Sequence, residues 1–187
     1  MKHPQTFLAL LMALTIAACT SNPDKSRSAG TLIDDNVLEV VIAREIRNSD
    51  PLFKSAHIVV NVFDGLVLLT GEVPSQEMLT KATSVAEGLY KVERGMVHNH
   101  MAVSGPISLV ARTNDAILAA KVKSRLLATK GVPGRKIKVA TENGIVYLLG
   151  KITREEAELA VLSTQKSFGV IKIVKIFDYV DEPAAVE

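Results

Sequence analysis

The chain reads as an α+β protein built from two tandem αββαβ domains, each with two helices laid on a three-stranded mixed sheet. Three observations carry this reading: an internal repeat, a period-four apolar stripe that opens each copy, and a hairpin signal at the middle of each. Phe63-Asp64-Gly65-Leu66-Val67-Leu68-Leu69-Thr70-Gly71-Glu72-Val73 matches Glu142-Asn143-Gly144-Ile145-Val146-Tyr147-Leu148-Leu149-Gly150-Lys151-Ile152 at an offset of 79 residues. Upstream, Asp35, Val37, Leu38, Ile42 and Ile46 match Asp115, Ile117, Leu118, Val122 and Leu126 at an offset of 80, so one residue is deleted between the two blocks.

The first segment is not part of either copy. Lys2 and His3 precede an apolar run from Phe7 to Ala18, broken by Thr15. The run is too short to cross a bilayer core of about 30 Å, and it has the flanks of a cleavable signal peptide, residues 1–18. It ends in Ile16-Ala17-Ala18-Cys19, which resembles a bacterial lipobox. Cys19 is the chain's one cysteine, so no internal disulfide competes for it, and it is expected to carry the lipid. Thr20 to Gly30 is polar and aperiodic, so residues 19–30 read as a lipidated flexible tether.

The first domain, 31–103, opens with a helix whose Leu38, Ile42 and Ile46 make a core-facing stripe. Ile58, Val60 and Val62 alternate as a strand, and Asp64-Gly65 supplies a tight hairpin turn. A second helix and a last strand near Met96 to Val103 complete the copy. Ser104-Gly105-Pro106 begins a linker, 104–112. The second domain, 113–180, repeats the order, with Asn143-Gly144 as its turn and Thr153 and Glu156 as a capping box. Its last strand runs near Ile171 to Val180, and 181–187 is a tail to which no function is given. Neither unit has much core, so the two are expected to pack together or to lean on a partner.

A D/N-G-x-V-x-L-x-G segment inside an αββαβ repeat resembles the BON domain family, and two such domains behind a lipobox strengthen the resemblance. Its specific stretches are Gly30 to Asp35, Lys121 to Leu127 and Lys138 to Gly144. The resemblance implies an outer-membrane lipoprotein of a Gram-negative bacterium, facing the periplasm; Thr20, in place of an aspartate after the cysteine, is consistent with that. It also implies that the second domain binds anionic phospholipids such as phosphatidylglycerol and cardiolipin, with its first helix in the membrane interface. A contribution to outer-membrane integrity, and links to division and to the outer-membrane protein assembly machinery, are implied as well.

The charge pattern bears on this directly. The net charge of +2 hides an asymmetry: residues 31–103 hold 6 basic and 10 acidic side chains, residues 112–180 hold 13 and 6. One fold does not require opposite charges on its two copies, so the difference concerns partners. On the first helix of the second copy, at about 100° per residue, Leu118, Ala119, Val122 and Leu126 form the core stripe. The opposite side carries Ile117, Ala120, Ser124, Leu127 and Ala128, with Lys121, Lys123 and Arg125 toward its margins. An apolar strip edged by long cations suits a lipid interface, where the strip enters the acyl boundary and the charged ends reach headgroups. Lys130, Arg135, Lys136 and Lys138 add charge. The competing reading packs Ile117 and Leu127 on the first domain or on Ile107, Leu109 and Val110. The family's lipid-facing helix includes the positions of Ile117 and Leu127; a tryptophan stands at the former in one member, which implies shallower insertion here. In the first copy Val37, Val40 and Val41 also leave the core stripe, but Asp35 to Asn48 is net −1, so that helix reads as a domain or partner contact.

Chemistry is not indicated. His98 and His100 share one strand face with no nearby Cys, Asp or Glu to complete a metal site. Ser163-Thr164-Gln165-Lys166 matches S-x-x-K without its companion motifs. Glu155, Glu156 and Glu158 suit the positive end of a helix. No phosphate-cradling glycine loop occurs, and an aromatic content of 4% without basic-aromatic interleaving argues against nucleic acid. The sequence therefore points to a non-enzymatic, lipid-anchored protein with no cofactor and no metal. The rival class is a tethered adaptor for an envelope assembly or division machine, its basic face meeting acidic protein.

Overall fold

The computed structural model describes residues 29–105 and 109–181. The signal peptide, Cys19, most of the tether, Ile107 and residues 182–187 of the tail lie outside the described residues. Helix α1 (Ala29–Ser49) buries Leu38, Ile42 and Ile46, the stripe read from the sequence. Together with α2 (Gln76–Glu87) it covers one face of a sheet made by β1 (His57–Phe63), β2 (Leu66–Val73), β3 (Val97–Asn99) and β4 (Ala102–Val103). The second domain places α3 (Leu109–Ala128) and α4 (Arg154–Gln165) on β5 (Ile137–Glu142), β6 (Ile145–Ile152) and β7 (Lys172–Tyr179). Helix α3 starts inside the stretch read as linker, since no Gly or Pro follows Pro106 to halt the helix before Leu109.

In each sheet the first two strands form an antiparallel hairpin and the last element runs parallel to the central strand. Parallel pairing needs a crossover, and α2 and α4 supply it. Both hairpin turns have two residues at positive φ: Asp64 (49°) and Gly65 (82°), Asn143 (53°) and Gly144 (74°). That is the type I′ geometry for which Asp-Gly and Asn-Gly are suited. A helix aspartate braces each turn. Asp35 accepts from the Asp64 N–H at 3.0 Å, and Asp115 accepts from the Asn143 and Gly144 N–H groups at 2.8 Å each. The repeated aspartate thus joins the first helix of each copy to its hairpin.

The capping box forms as expected, Thr153 and Glu156 each accepting the other's backbone N–H. The last strand of the first copy differs from expectation, because it is split into β3 and β4. Asn99 causes the break: its Oδ1 accepts from the Met101 N–H, and its Nδ2 donates to the Leu79 carbonyl and Thr83 hydroxyl of α2. The strand is thereby pulled onto the helix.

All eight residues of β2 are buried, because the sheet is covered on both faces. Val67, Leu69 and Val73 meet the helices, whereas Leu66 and Leu68 join Phe63, Ala140, Tyr147, Leu149 and Ile176 in a cluster between the two sheets. The sheets therefore pack face to face with the helices outside, which adds a shared core to the one each unit has of its own. Polar groups edge this contact. Lys138 pairs with Glu39 of α1 and donates to the Val62 carbonyl at 3.2 Å, so it holds the domains together and is not a free surface charge as the sequence suggested. Val37 and Val40 of α1 are exposed, which removes the domain-contact reading of that helix face.

Candidate membrane interface

Helix α3 turns Asp115, Leu118, Val122 and Leu126 into its own domain. On the opposite side Ile117 is 49% and Leu127 53% exposed, and Ala120, Lys121, Ser124 and Ala128 are exposed with them. The sister sheet contacts the far face of the domain, so it does not cover this strip. The candidate residues are thus brought onto one surface, with one exception. Lys123 is folded back: its Nζ donates to the carbonyls of Gly134 at 2.8 Å and Ile137 at 2.6 Å, tying α3 to the start of β5. Helical spacing placed it at the margin of the strip, but the 3-10 turn Gly134–Lys136 beneath it offers acceptors that a spacing argument does not show. Arg125 remains exposed and sends Nε to the Ser167 hydroxyl at 3.1 Å.

That bond leads to residues the sequence reading missed. Ser167 lies in the loop between α4 and β7, and the next residue, Phe168, is 94% exposed. Gly169 follows at φ 102°, and the Ile171 N–H donates to the Gly144 carbonyl at 2.9 Å, so the loop is fixed to the hairpin turn. Ile171 is 79% exposed, and its side chain lies so close to Gly144 that a Cβ there would come within 2.6 Å. A groove of about 640 Å³ opens between this loop, the turn and α3, lined by Asn114, Ile117, Lys121, Asn143 and Phe168 among others. Asp115 also borders it, but its carboxylate is committed to the turn, so an entering group meets Lys121 and the Asn114 amide. The available sequence signal was a phenylalanine, one of five, between a polar helix end and a glycine, where no core stripe calls for it.

Ser163 is buried and shares a 2.8 Å hydrogen bond with Thr129, which engages the hydroxyl of the S-x-x-K match. Among the described residues, no helix is long and apolar enough to cross a membrane.

Comparison with known proteins agrees with the architecture. The BON domain profile matches residues 34–105 and 114–180. The outer membrane lipoprotein DolP of Haemophilus influenzae is 34% identical over 83% of this chain and 79% of its own length. The 21 kDa hemolysin of Actinobacillus pleuropneumoniae is 33% identical, over 86% and 81% respectively. Osmotically-inducible protein Y of Escherichia coli K12 is 26% identical over 94% of each chain. With a repeated αββαβ unit, its type I′ turns and a matching profile in each half, the chain belongs to the BON domain family and carries two copies of the domain.

Proposed function

We propose that the chain is a non-enzymatic outer-membrane lipoprotein, anchored through Cys19, whose second BON domain binds anionic phospholipid and supports the integrity of that membrane. The observation that carries the reading is the exposed surface of α3 and the α4–β7 loop. Ile117, Leu127, Phe168 and Ile171 present apolar side chains beside Lys121 and Arg125. Apolar groups at such a surface gain by entering the acyl boundary, and each cation adds about 1 kcal/mol near an anionic headgroup layer. The name of the Haemophilus influenzae relative supports the location. The residues read from sequence as headgroup contacts (Ile117, Ala120, Lys121, Ser124, Arg125, Leu127 and Ala128) stay in this reading; Lys123 leaves it, and Phe168 and Ile171 join.

Vesicle co-sedimentation tests the reading. The soluble fragment from residue 20 onward, which lacks the anchor, is expected to pellet with phosphatidylglycerol or cardiolipin vesicles and not with phosphatidylcholine, less so as salt rises, and to stay in the supernatant as Ile117→Asp or Leu127→Glu. Equal binding to neutral vesicles, or wild-type binding by both variants, would refute it. The anchor is tested separately by acyl labelling, which Cys19→Ser is expected to abolish. A second reading concerns α1, where Ile33, Val37 and Val40 are more than half exposed on an acidic helix. That face suits a protein partner of the adaptor kind, and photo-crosslinking from Val40 is expected to capture an envelope protein there and not lipid.

A further inference from the structure

At one end of the contact between the sheets stand three groups that an apolar interface does not need. His57 opens β1, Glu72 lies near the end of β2, and Glu142 closes β5. Strand alternation puts all three on the faces turned toward the sister sheet. His57 and Glu72 are register partners in the first domain, and Glu142 comes from the second. One donor atom from each lies within 4.8 Å of the others, and His57 Nε2 is 3.8 Å from Glu142 Oε1. Glu72 is 2% exposed. Its Oε1 accepts from Asn143 Nδ2 at 3.2 Å, while its Oε2 is buried with no hydrogen-bond partner. A buried carboxylate oxygen without a partner is costly, and a bound ion or water would relieve that cost; Arg112 Nε, beside the same group, is buried without a partner as well. Beside it lies a cavity of about 290 Å³ lined by His57, Arg112, Asp115, Thr141 and Glu142 among others.

We propose that His57, Glu72 and Glu142 form an interdomain site for a divalent transition cation of the zinc class, which fastens the two BON domains together. One imidazole nitrogen and two carboxylate oxygens, with a water in the fourth position, form a donor set suited to that ion. Calcium and magnesium favour all-oxygen shells of higher coordination number, whereas imidazole selects zinc and its neighbours. Donors bound at about 2.1 Å stand roughly 3.4 Å apart in a tetrahedron, so the 3.8 Å pair needs only a small rotation to close. The ligands are 15 and 70 residues apart in the chain, so no local motif announces them.

The test uses the full chain in detergent micelles, stripped of metal with a chelator and titrated calorimetrically with zinc chloride. One zinc per chain is expected. Glu72→Gln and Glu142→Gln keep side-chain size and are each expected to weaken binding by about a hundredfold, since even outer-shell changes cost about 10- to 100-fold. His98→Asn/His100→Asn is expected to bind as wild type. Zinc is further expected to raise the melting temperature of the wild type and not of Glu72→Gln, and cobalt(II) to give visible tetrahedral bands that the same variant lacks. Circular dichroism without metal confirms that each variant is folded; if Glu72→Gln is not, Glu142→Gln carries the comparison. Absence of zinc uptake by the folded wild type, uptake retained in both Gln variants, or uptake lost with the His98/His100 change would overturn the proposal.

Discussion

Truncating Phe168 separates a membrane contact from ordinary packing, because the side chain is 94% exposed and so contributes little to the fold. Full burial of a large apolar side chain is worth about 1.5–3 kcal/mol, and nearly all of that surface is available for transfer into an acyl boundary. Phe168→Ala should therefore cost about 2 kcal/mol of vesicle affinity, close to thirtyfold. Ile117 is 49% exposed, so about half of its transfer energy is left to gain; Ile117→Ala should cost about 1 kcal/mol, or fivefold. The ranking, with the loop residue ahead of the helix residue, follows from the structure and not from the helical pattern. The assay is a titration of phosphatidylglycerol vesicles against a fixed concentration of the anchor-free fragment from residue 20 onward, with urea denaturation as the control for stability. An unchanged vesicle affinity for Phe168→Ala, or a drop in its denaturation midpoint of the size expected for a core residue, would refute the reasoning.

Three other predictions concern the scaffold. Gly71 has φ 107°, and a Cβ there would lie 2.0 Å from the His57 carbonyl oxygen, whereas Gly65 at φ 82° meets nothing within 4 Å. Gly71→Ala is expected to cost about 3 kcal/mol or more, and Gly65→Ala about 1 kcal/mol, as read from urea midpoints. Asp115→Ala removes the acceptor for two turn N–H groups and should cost about 2–4 kcal/mol; Asp115→Asn, which keeps one acceptor oxygen, should fall between it and the wild type. Burial holds His98 and His100 below the usual 6.5, with each other's charge and Lys172 adding to the effect at His100. The unfolded chain then binds more protons than the folded one, so their contribution is complete above pH 6.5 and falls as the pH drops through the depressed native values. Melting curves of the wild type should show that acid loss, and His98→Asn/His100→Asn should show less of it.

Local signals gave most of the architecture. Leu38, Ile42 and Ile46 announce a helix because the core selects one face, and Asp64-Gly65 and Asn143-Gly144 announce turns because few other pairs accept two positive φ values. Tertiary choices were not legible. Lys123 and Lys138 look like Lys121 in sequence, yet one is drawn to the carbonyls of Gly134 and Ile137 and the other to Glu39 of the sister domain. The run from Leu66 to Leu69 held more information than an alternation reading extracts, because an unbroken apolar strand implies cover on both faces and hence the contact between sheets. Phe168 has no periodic neighbours, so pattern analysis had nothing to place it with.

The contact between the sheets decides which surfaces the two domains have left. With one face of each sheet covered by its own helices and the other by the sister sheet, the helix layers are the broad faces that remain for partners. The two layers are built alike: α1 and α3 each leave apolar residues outside their core stripe, and the loops after α2 and α4 each carry an exposed aromatic, Tyr90 and Phe168. Their charges differ. On α1, Arg44 lies 3.6 Å from Glu45, and Asp34 lies 3.5 Å from Lys91, so acid and base offset each other along that face. On α3 the one acid between Asn114 and Ala128, Asp115, is buried in the turn, which leaves Lys121 and Arg125 to set the sign of the surface. An anionic bilayer discriminates between two such faces by charge before it discriminates by shape, since the attraction acts over about a Debye length and apolar contact does not. Two copies of one fold, held back to back, can therefore present one layer to lipid and keep the other for protein.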